Sequence, residues 1–370
     1  MRMMRLSILP LVLLVGIASR YAEAQPAAEE ALELTSQRRL IDVSAVAVYQ
    51  SYDDHDLNVS QFSIPISVSI PIGRATTLSL RASRASVTSS EITDLSGATD
   101  PQVVLAYARS AGAGSVVFSL GINLPAGKQE LTTEEFQTAA FLSQTAFDYR
   151  VPSYGQGLGL SPSLVWAIPI GSDAVIGLGG TYNYRGSYKP IDTLEDDYTP
   201  GDEVLVTGGF DARLGPTSAL SLDVTYTLYS TDKLGEQEVF EAGAKTTLTA
   251  LYRYLNGFNE LRILGLYRRR AESEVLMEGT LTRQVSQTIP DQIMLQVTYR
   301  LRLSRSFSAT LLVAGRKFDE TEIVEERTLF DVGVLPSMRV SKTATIVTRF
   351  IYTAGTITGF EASGGLVMRF

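Results

Sequence analysis

The stretch "DQIMLQVTYRLRL", residues 291–303, alternates apolar and polar side chains almost without a break. Ile293, Leu295, Val297 and Tyr299 share one parity, and Arg300 lies on the other. Because successive side chains of a β-strand point to opposite faces, the stretch predicts a strand with one apolar and one polar face. It is roughly twice as long as a strand of an ordinary soluble sheet.

Similar runs recur along the rest of the chain, and we count about 16 of them. Their approximate spans are 39–52, 58–72, 75–88, 101–111, 114–124, 156–170, 173–187, 202–214, 217–230, 239–254, 258–274, 288–303, 306–318, 328–340, 343–354 and 358–370. The connections between them alternate between short turns such as "NGF" and long segments such as "IDTLEDDYTPG". This pattern is typical of an all-β, transmembrane, antiparallel up-and-down β-barrel. We expect about 16 strands, with 14 as the alternative, and both chain ends on the short-turn side.

Arginine recurs on the polar face of these runs. An arginine facing lipid near the middle of the bilayer would cost roughly 2–4 kcal/mol, so we expect the polar face to line a wide aqueous lumen. The candidate lumen residues are Arg213, Arg253, Arg262, Arg300, Arg302, Arg339, Arg349 and Arg369, with the inward acidic residues Asp42, Asp211, Asp223, Glu241 and Glu361. Two interpretations remain open, namely mutual salt bridges with solvated charges and a basic zone that favours anions.

The segment from about 125 to 155 is the longest connection. Thr132 and Glu135 have the spacing of a capping box and predict a helix to about Gln144. Its apolar side chains need a surface to cover them, and the constriction candidates are Phe136, Phe141, Leu142 and Phe147. The segment could form a lid on the outer rim, or it could fold into the pore and narrow it.

The N-terminus has the features of a secretory signal peptide, with Arg2 and Arg5 before a short apolar run and an A-x-A site at Ala22–Ala24. We therefore expect a signal peptide at 1–24, a short periplasmic segment at 25–38 and a single barrel at 39–370. The chain has no cysteine, and its net charge of -8 argues against nucleic acid as a partner. No spacing indicates a cofactor or a metal site, and the single histidine, His55, does not make a convincing catalytic group, so we expect no enzymatic activity.

The C-terminus ends in Phe370, with apolar residues at alternate positions before it. This ending resembles the assembly signal of Gram-negative outer-membrane proteins. The resemblance implies an outer-membrane location, recognition by the barrel assembly machinery through Phe370, and contact with outer-membrane lipids and lipopolysaccharide.

A second resemblance concerns the stretch 96–128. Asp100-Pro101 at a strand start and the "LPAGK" turn at 124–128 are similar to a pattern in transporters related to the phenol meta-pathway and long-chain fatty-acid channels. We expect a channel for passive diffusion of small solutes, narrowed by the 125–155 segment. The alternatives are an uptake channel for hydrophobic or aromatic compounds and a structural or adhesive barrel without transport. The solute and the oligomeric state stay open.

Overall fold

The computed structural model describes residues 40–54, 57–284, 287, 289–321 and 324–370. The expected signal peptide, the expected N-terminal segment at 25–38 and His55 lie outside the described residues. In the part described, one α-helix exceeds a single turn, α1 (Thr133–Leu142). No helix in that part is long and apolar enough to span a membrane.

Seventeen strands form one sheet, and they follow one another around it in chain order. They are β1 (Asp42–Asp54), β2 (Leu57–Ile72), β3 (Thr76–Ser89), β4 (Leu95–Ala98), β5 (Gln102–Ala111), β6 (Gly114–Asn123), β7 (Gly159–Ile170), β8 (Ala174–Arg185), β10 (Glu203–Arg213), β11 (Ser218–Tyr229), β14 (Lys245–Asn256), β15 (Asn259–Arg270), β18 (Gln292–Arg302), β19 (Phe307–Phe318), β20 (Arg327–Arg339), β21 (Ala344–Gly355) and β22 (Thr358–Arg369). The strands β4 and β5 both pair with β3 and occupy one position, so the sheet has sixteen positions.

The sheet is closed, because β22 pairs antiparallel with β1 as well as with β21. The closure reaches the last residue, where Ile41 and Phe370 exchange two backbone hydrogen bonds of 3.0 Å each. Closure removes the open edges that a long apolar strand would otherwise expose. The predicted barrel of 16 strands is confirmed, and the alternative of 14 is wrong.

The barrel exterior is apolar and the interior is polar. On β10, the outward side chains Val204 and Val206 are 43% and 57% exposed, whereas the inward Glu203 is 2% exposed. Exposed aromatic side chains lie towards both ends of the outer surface, for example Trp166 near a short turn and Tyr182 near a long connection. A continuous apolar outer surface with aromatic side chains towards both ends is typical of the exterior of a membrane-spanning barrel.

Five further strands form a second sheet, mostly in connections predicted as loops, although β13 overlaps the start of the predicted run 239–254. They are β9 (Tyr198–Thr199), β12 (Thr231–Leu234), β13 (Gln237–Glu241), β16 (Glu274–Met277) and β17 (Thr280–Arg283). The turn between β12 and β13 uses Gly235 with a positive φ of 60°, which glycine adopts without strain. The alternation of short and long connections predicts a long one after the first run, whereas β1 and β2 stay paired as far as Asp54 and Leu57.

The two faces of β14 provide a test of which side chains face the lipid and which face the lumen. Leu248 points outward and is 43% exposed, while its neighbour Thr249 lines the interior. We expect Leu248→Arg to lower the free energy of unfolding in lipid vesicles by roughly 2–4 kcal/mol, since the guanidinium would face hydrocarbon. The matched control Thr249→Arg keeps that charge in the lumen and should cost much less. Urea unfolding followed by the fluorescence of the single tryptophan measures both, and equal costs would contradict the assignment of faces.

Candidate functional site

The connection between β6 and β7, residues 124–158, lies inside the barrel mouth at the long-connection end. We call it the inserted segment. Its residues Phe136, Leu142 and Phe147 are buried at 3%, 0% and 0% exposure, and Phe141 stacks on Phe147 with ring centroids 4.4 Å apart. They pack against barrel residues Tyr52, Val59, Ala85, Val87, Leu95, Phe318, Leu329 and Ile357. Of the two placements left open by the sequence, the structure has the one inside the mouth.

The helix α1 begins as the sequence predicts. The Thr132 side chain accepts a hydrogen bond from the Glu135 N–H, and the Glu135 carboxylate accepts one from the Thr132 N–H, which completes the capping box. Glu135 also forms a salt bridge with Lys128, the last residue of the "LPAGK" turn. The start of the helix is therefore tied to the start of the inserted segment.

Two glutamines of the barrel wall hold the inserted segment by its backbone. Gln50 on β1 donates to the Asp148 carbonyl at 3.0 Å and accepts from the Arg150 N–H at 2.7 Å. Gln61 on β2 donates to the Val151 carbonyl at 2.7 Å and accepts from the Val151 N–H at 3.0 Å. Both glutamines are 0% exposed. Because an amide left unpaired in such a place costs about 1–3 kcal/mol, these paired contacts fix the segment to the wall.

A buried ion pair on the nearby strands β19 and β20 also holds the segment. Arg316 on β19 donates to both carboxylate oxygens of Asp331 on β20, at 2.9 Å each. The same guanidinium donates to the Ala146 carbonyl of the inserted segment at 3.1 Å, and Thr353 donates to Asp331 at 2.7 Å. The charges are thus paired and their remaining donors are used, as a buried pair requires. These residues were not identified from the sequence, although their inward parity would have pointed to them.

Glu361 on β22 forms a second charged contact to the segment. Its carboxylate forms salt bridges with Arg349 of the barrel, at 2.9 Å, and with Arg150 of the segment, at 3.1 Å. Gln50 also donates to it, at 3.3 Å. Arg349 and Glu361, both predicted to face inward, therefore help to anchor the inserted segment.

The two motifs of the 96–128 stretch meet at the root of the inserted segment. The Asp100 carboxylate accepts from the Gly127 N–H at 2.7 Å, from the Gln156 N–H at 2.6 Å and from the Asn123 side chain at 3.0 Å. A Cβ on Gly127 would lie 2.7 Å from the Asp100 nitrogen, which explains why glycine stands there. The break between β4 and β5, which includes Pro101, makes room for this contact. Asp100 thus joins the entry and exit of the segment.

Beside the inserted segment, the lumen contains a cavity of about 1600 Å³. Its wall on β6 to β14 consists largely of small polar or side-chain-free positions, namely Ser115, Ser119, Gly121, Ser161, Ser163, Gly177, Gly179, Thr207, Gly209, Ser221, Thr225, Thr247 and Thr249. Arg150, Ser153 and Tyr154 of the inserted segment form part of the opposite side. Short side chains on one wall leave the space that the segment does not occupy.

The predicted lumen arginines fall into three groups. Arg253, Arg262 and Arg300 converge on Glu260, which the sequence analysis did not single out. Arg349 pairs with Glu361, and Arg369 pairs with Asp42 at 2.9 Å. Arg302 lies over the Phe258 ring at 4.8 Å, and Arg213 and Arg339 end their strands at the short turns. The salt-bridge interpretation therefore describes many of these side chains.

The predicted acidic lumen residues differ in their placement. Asp211 and Asp223 line the cavity, and Asp211 accepts a hydrogen bond from Ser221. Glu241 does not line it, and that prediction was wrong. The strand of the barrel wall begins at Lys245, so Glu241 lies in β13 of the second sheet, where it accepts from Thr231 at 2.9 Å. Within the described ranges, no group of three or more acidic or histidine side chains could hold a metal ion.

These features identify the fold class. The chain is a closed, antiparallel, 16-stranded β-barrel with an apolar exterior.

No protein family model matches the chain, and no curated protein matches it. Solved structures similar to it include the COG4313 outer membrane channel from Pseudomonas putida F1, at 9% identity and a TM-score of 0.42 over 90% of this chain and 97% of that one. The loop L8 deletion mutant of OmpT, an outer membrane protein of Vibrio cholerae, has 11% sequence identity and a TM-score of 0.44. The match covers 89% of this chain and 98% of that one. An anion-selective porin from Comamonas acidovorans has 11% sequence identity and a TM-score of 0.40, and the match covers 90% of this chain and 98% of that one.

The second sheet has its own small core beyond the barrel wall. Tyr198, Val239 and Phe240 are buried in it, and Tyr188 packs edge-on against Tyr198 at 5.9 Å. Its strands lie in the connections that join β8 to β10, β11 to β14 and β15 to β18. The glycines at the two hairpin turns, Gly235 and Gly279, are the local sequence signal for these hairpins.

A buried carboxyl group lies in this second sheet. Asp232 is 2% exposed and accepts hydrogen bonds from the Tyr198 hydroxyl, at 2.7 Å, and from the Gly201 N–H. Burial raises the pKa of Asp232 to about 6, although both hydrogen bonds oppose the shift. The nearby charges act in opposite directions, since Arg185 lowers this pKa and Glu203 raises it.

The raised pKa predicts a pH-dependent stability of the second sheet. The folded sheet favours the protonated form of Asp232 more than the unfolded chain does. Its free energy of unfolding is therefore highest below about pH 3.8, the pKa of Asp232 in the unfolded chain, and falls as the pH rises through about 6. We expect amide protection factors of residues 231–241 to correspond to roughly 2 kcal/mol more stability at pH 4 than at pH 8. Hydrogen exchange in micelles, corrected for intrinsic rates, measures this difference. Asp232→Asn should abolish the difference, and a persistent pH dependence in that variant would assign it to another group.

Proposed function

We propose that the protein is an outer-membrane channel of a Gram-negative-type bacterium for passive diffusion of small polar solutes. The inserted segment sets its aperture, and solutes pass along the cavity beside it. The observation that carries this proposal is the attachment of the segment by Gln50 and Gln61 to one side of the lumen, next to a wall of serine, threonine and glycine. A constriction fixed in this way limits solute size without closing the barrel. The proposal requires no cofactor and no catalytic group.

The alternative of a hydrophobic-compound channel has less support. It needs an apolar pocket, for which Phe136, Phe141 and Phe147 were the sequence candidates. These side chains pack against the barrel wall and against one another, so their surface is already covered. The wall of the space beside the segment carries many serine, threonine and charged side chains, which suit hydrated solutes, although carbon atoms contribute more of its surface than polar atoms.

The alternative of a structural or adhesive barrel is favoured by one observation. The second sheet and the inserted segment both lie at the long-connection end, and the segment pairs through Leu131 with Ile191 in the connection that leads to β9. If these parts together seal the mouth, the protein would act through its surface. The conductance experiment below distinguishes the two functions.

The location and the partners form part of the same proposal. Phe370 is 58% exposed on the outer surface at the short-turn end, where the barrel assembly machinery could recognise it. Lipids would contact the apolar band, and lipopolysaccharide would contact the long-connection end.

Planar-bilayer conductance of the refolded protein tests the channel. We expect conductance from the intact chain and a severalfold increase after deletion of residues 130–150, because that deletion removes α1 and the backbone held by Gln50. Conductance that is unchanged by the deletion would exclude the segment as the constriction. An absence of conductance in both proteins would favour the structural alternative.

A subtler variant tests the anchoring itself. The double change Gln50→Ala and Gln61→Ala leaves the segment in the chain but removes four hydrogen bonds to its backbone. We expect larger or noisier single-channel currents, because the segment can then move away from the wall. The control Gln296→Ala removes a cavity-lining amide that does not hold the segment, and its currents should resemble those of the unmodified protein.

A further inference from the structure

Three arginines surround one glutamate at the short-turn end of the lumen. Glu260 on β15 is 2% exposed, and it contacts Arg253 on β14 at 3.2 Å, Arg262 on β15 at 2.7 Å and Arg300 on β18 at 2.6 Å. We call these four residues the Glu260 cluster. They come from three adjacent strands, because Arg253 is opposite Arg262 and Glu260 is opposite Arg300 in the ladder.

The cluster carries more positive charge than its carboxylate can balance. Each guanidinium has five N–H donors, whereas a carboxylate offers about four acceptor sites. Arg262 and Arg300 alone bring two positive charges to the single negative charge of Glu260, so the cluster is net positive. Arg302, on the same inward row of β18, adds a further guanidinium above the Phe258 ring.

The arginines of the cluster remain open to the lumen even though the glutamate is covered. Their side chains are 36%, 45% and 49% exposed for Arg253, Arg262 and Arg300. Arg262 also lines the cavity along which a solute would pass. Arg262 therefore faces the path itself, while Glu260 holds the guanidiniums of the cluster in place.

Other charged contacts of the lumen are more evenly balanced. Arg369 pairs with Asp42, Arg185 with Glu203, and Arg316 with Asp331. Glu361 has two arginine partners, but one of them, Arg150, belongs to the inserted segment and the contact serves to anchor it. The Glu260 cluster thus concentrates positive charge at the end of the cavity, in a chain whose net charge is -8.

We propose that the Glu260 cluster is a weak binding site for small oxyanions, carrying a carboxylate or a phosphate group, and that it makes the channel prefer anions. This inference rests on the proposed function and names its solute class. A guanidinium group can donate two parallel hydrogen bonds to the oxygens of a carboxylate or a phosphate. Because Glu260 already holds the arginine side chains in position, less side-chain entropy is lost when the anion binds. The affinity must stay low, because a conducting site has to release its ion.

Reversal potentials in a KCl gradient test the charge preference. We expect the intact channel to pass chloride more readily than potassium. Arg262→Gln should lower the chloride-to-potassium permeability ratio at least about twofold, because one guanidinium leaves the path. The control Arg305→Gln removes one positive charge from an exposed turn at the same end and should change the ratio much less. A cation-preferring channel, or equal shifts in the two variants, would overturn the inference while leaving the channel function intact.

Binding of inorganic phosphate tests the site without requiring conductance. For the protein in detergent micelles, we expect broadening of the phosphate ³¹P resonance, with a midpoint in the millimolar range and severalfold weaker binding for Arg262→Gln. Arg305→Gln should bind as the unmodified protein does. Far-ultraviolet circular dichroism and heat-modifiable gel migration confirm that each variant is folded. If phosphate binds but no current flows, the channel function fails and the oxyanion site stands; if phosphate binding is absent or unaffected by Arg262→Gln, the site is refuted.

Discussion

The closed backbone ladder is the constraint on which the rest of this structure depends. In a bilayer no water is available to pair with exposed N–H and C=O groups, so a sheet can cross it only when the first and last strands pair. Here β1 and β22 do so along nearly their whole length, and the ladder ends with the reciprocal bonds between Ile41 and Phe370. Closure turns every outward side chain to lipid and every inward one to the lumen.

The inserted segment depends on that closed wall in turn. A ten-residue helix with apolar side chains would not be stable alone, and here the barrel mouth supplies the surface against which it packs. Gln50, Gln61, Arg316 and Glu361 come from different strands and meet the segment only because the sheet is curved around it. The loop and the wall therefore form one unit, in which polar contacts to the backbone define the position and apolar packing contributes much of the stability.

The positions of the lumen charges depend on the alternation within each strand, whereas their pairing depends on which strands are neighbours in the closed barrel. Inward parity brings arginines into the lumen, where burial demands partners or water. The number of arginines that pair with each carboxylate then depends on which strands are neighbours. Asp42 pairs with one arginine, whereas Glu260 pairs with three. The result is a lumen with balanced pairs along much of its wall and a surplus of positive charge at one end.

The alternation in stretches such as 291–303 by itself determined the strands, their number and their faces, because a period of two follows from the backbone geometry of each strand alone. The capping box of α1 was also readable, since its two hydrogen bonds join residues only three apart. Tertiary structure alone decided that the segment lies inside the mouth, that Glu260 gathers three arginines, that Glu241 leaves the lumen and that the outer connections form a second sheet. These outcomes depend on contacts between residues distant in the chain, such as the 90 positions between Gln61 and Val151, and on which strands become neighbours when the barrel closes.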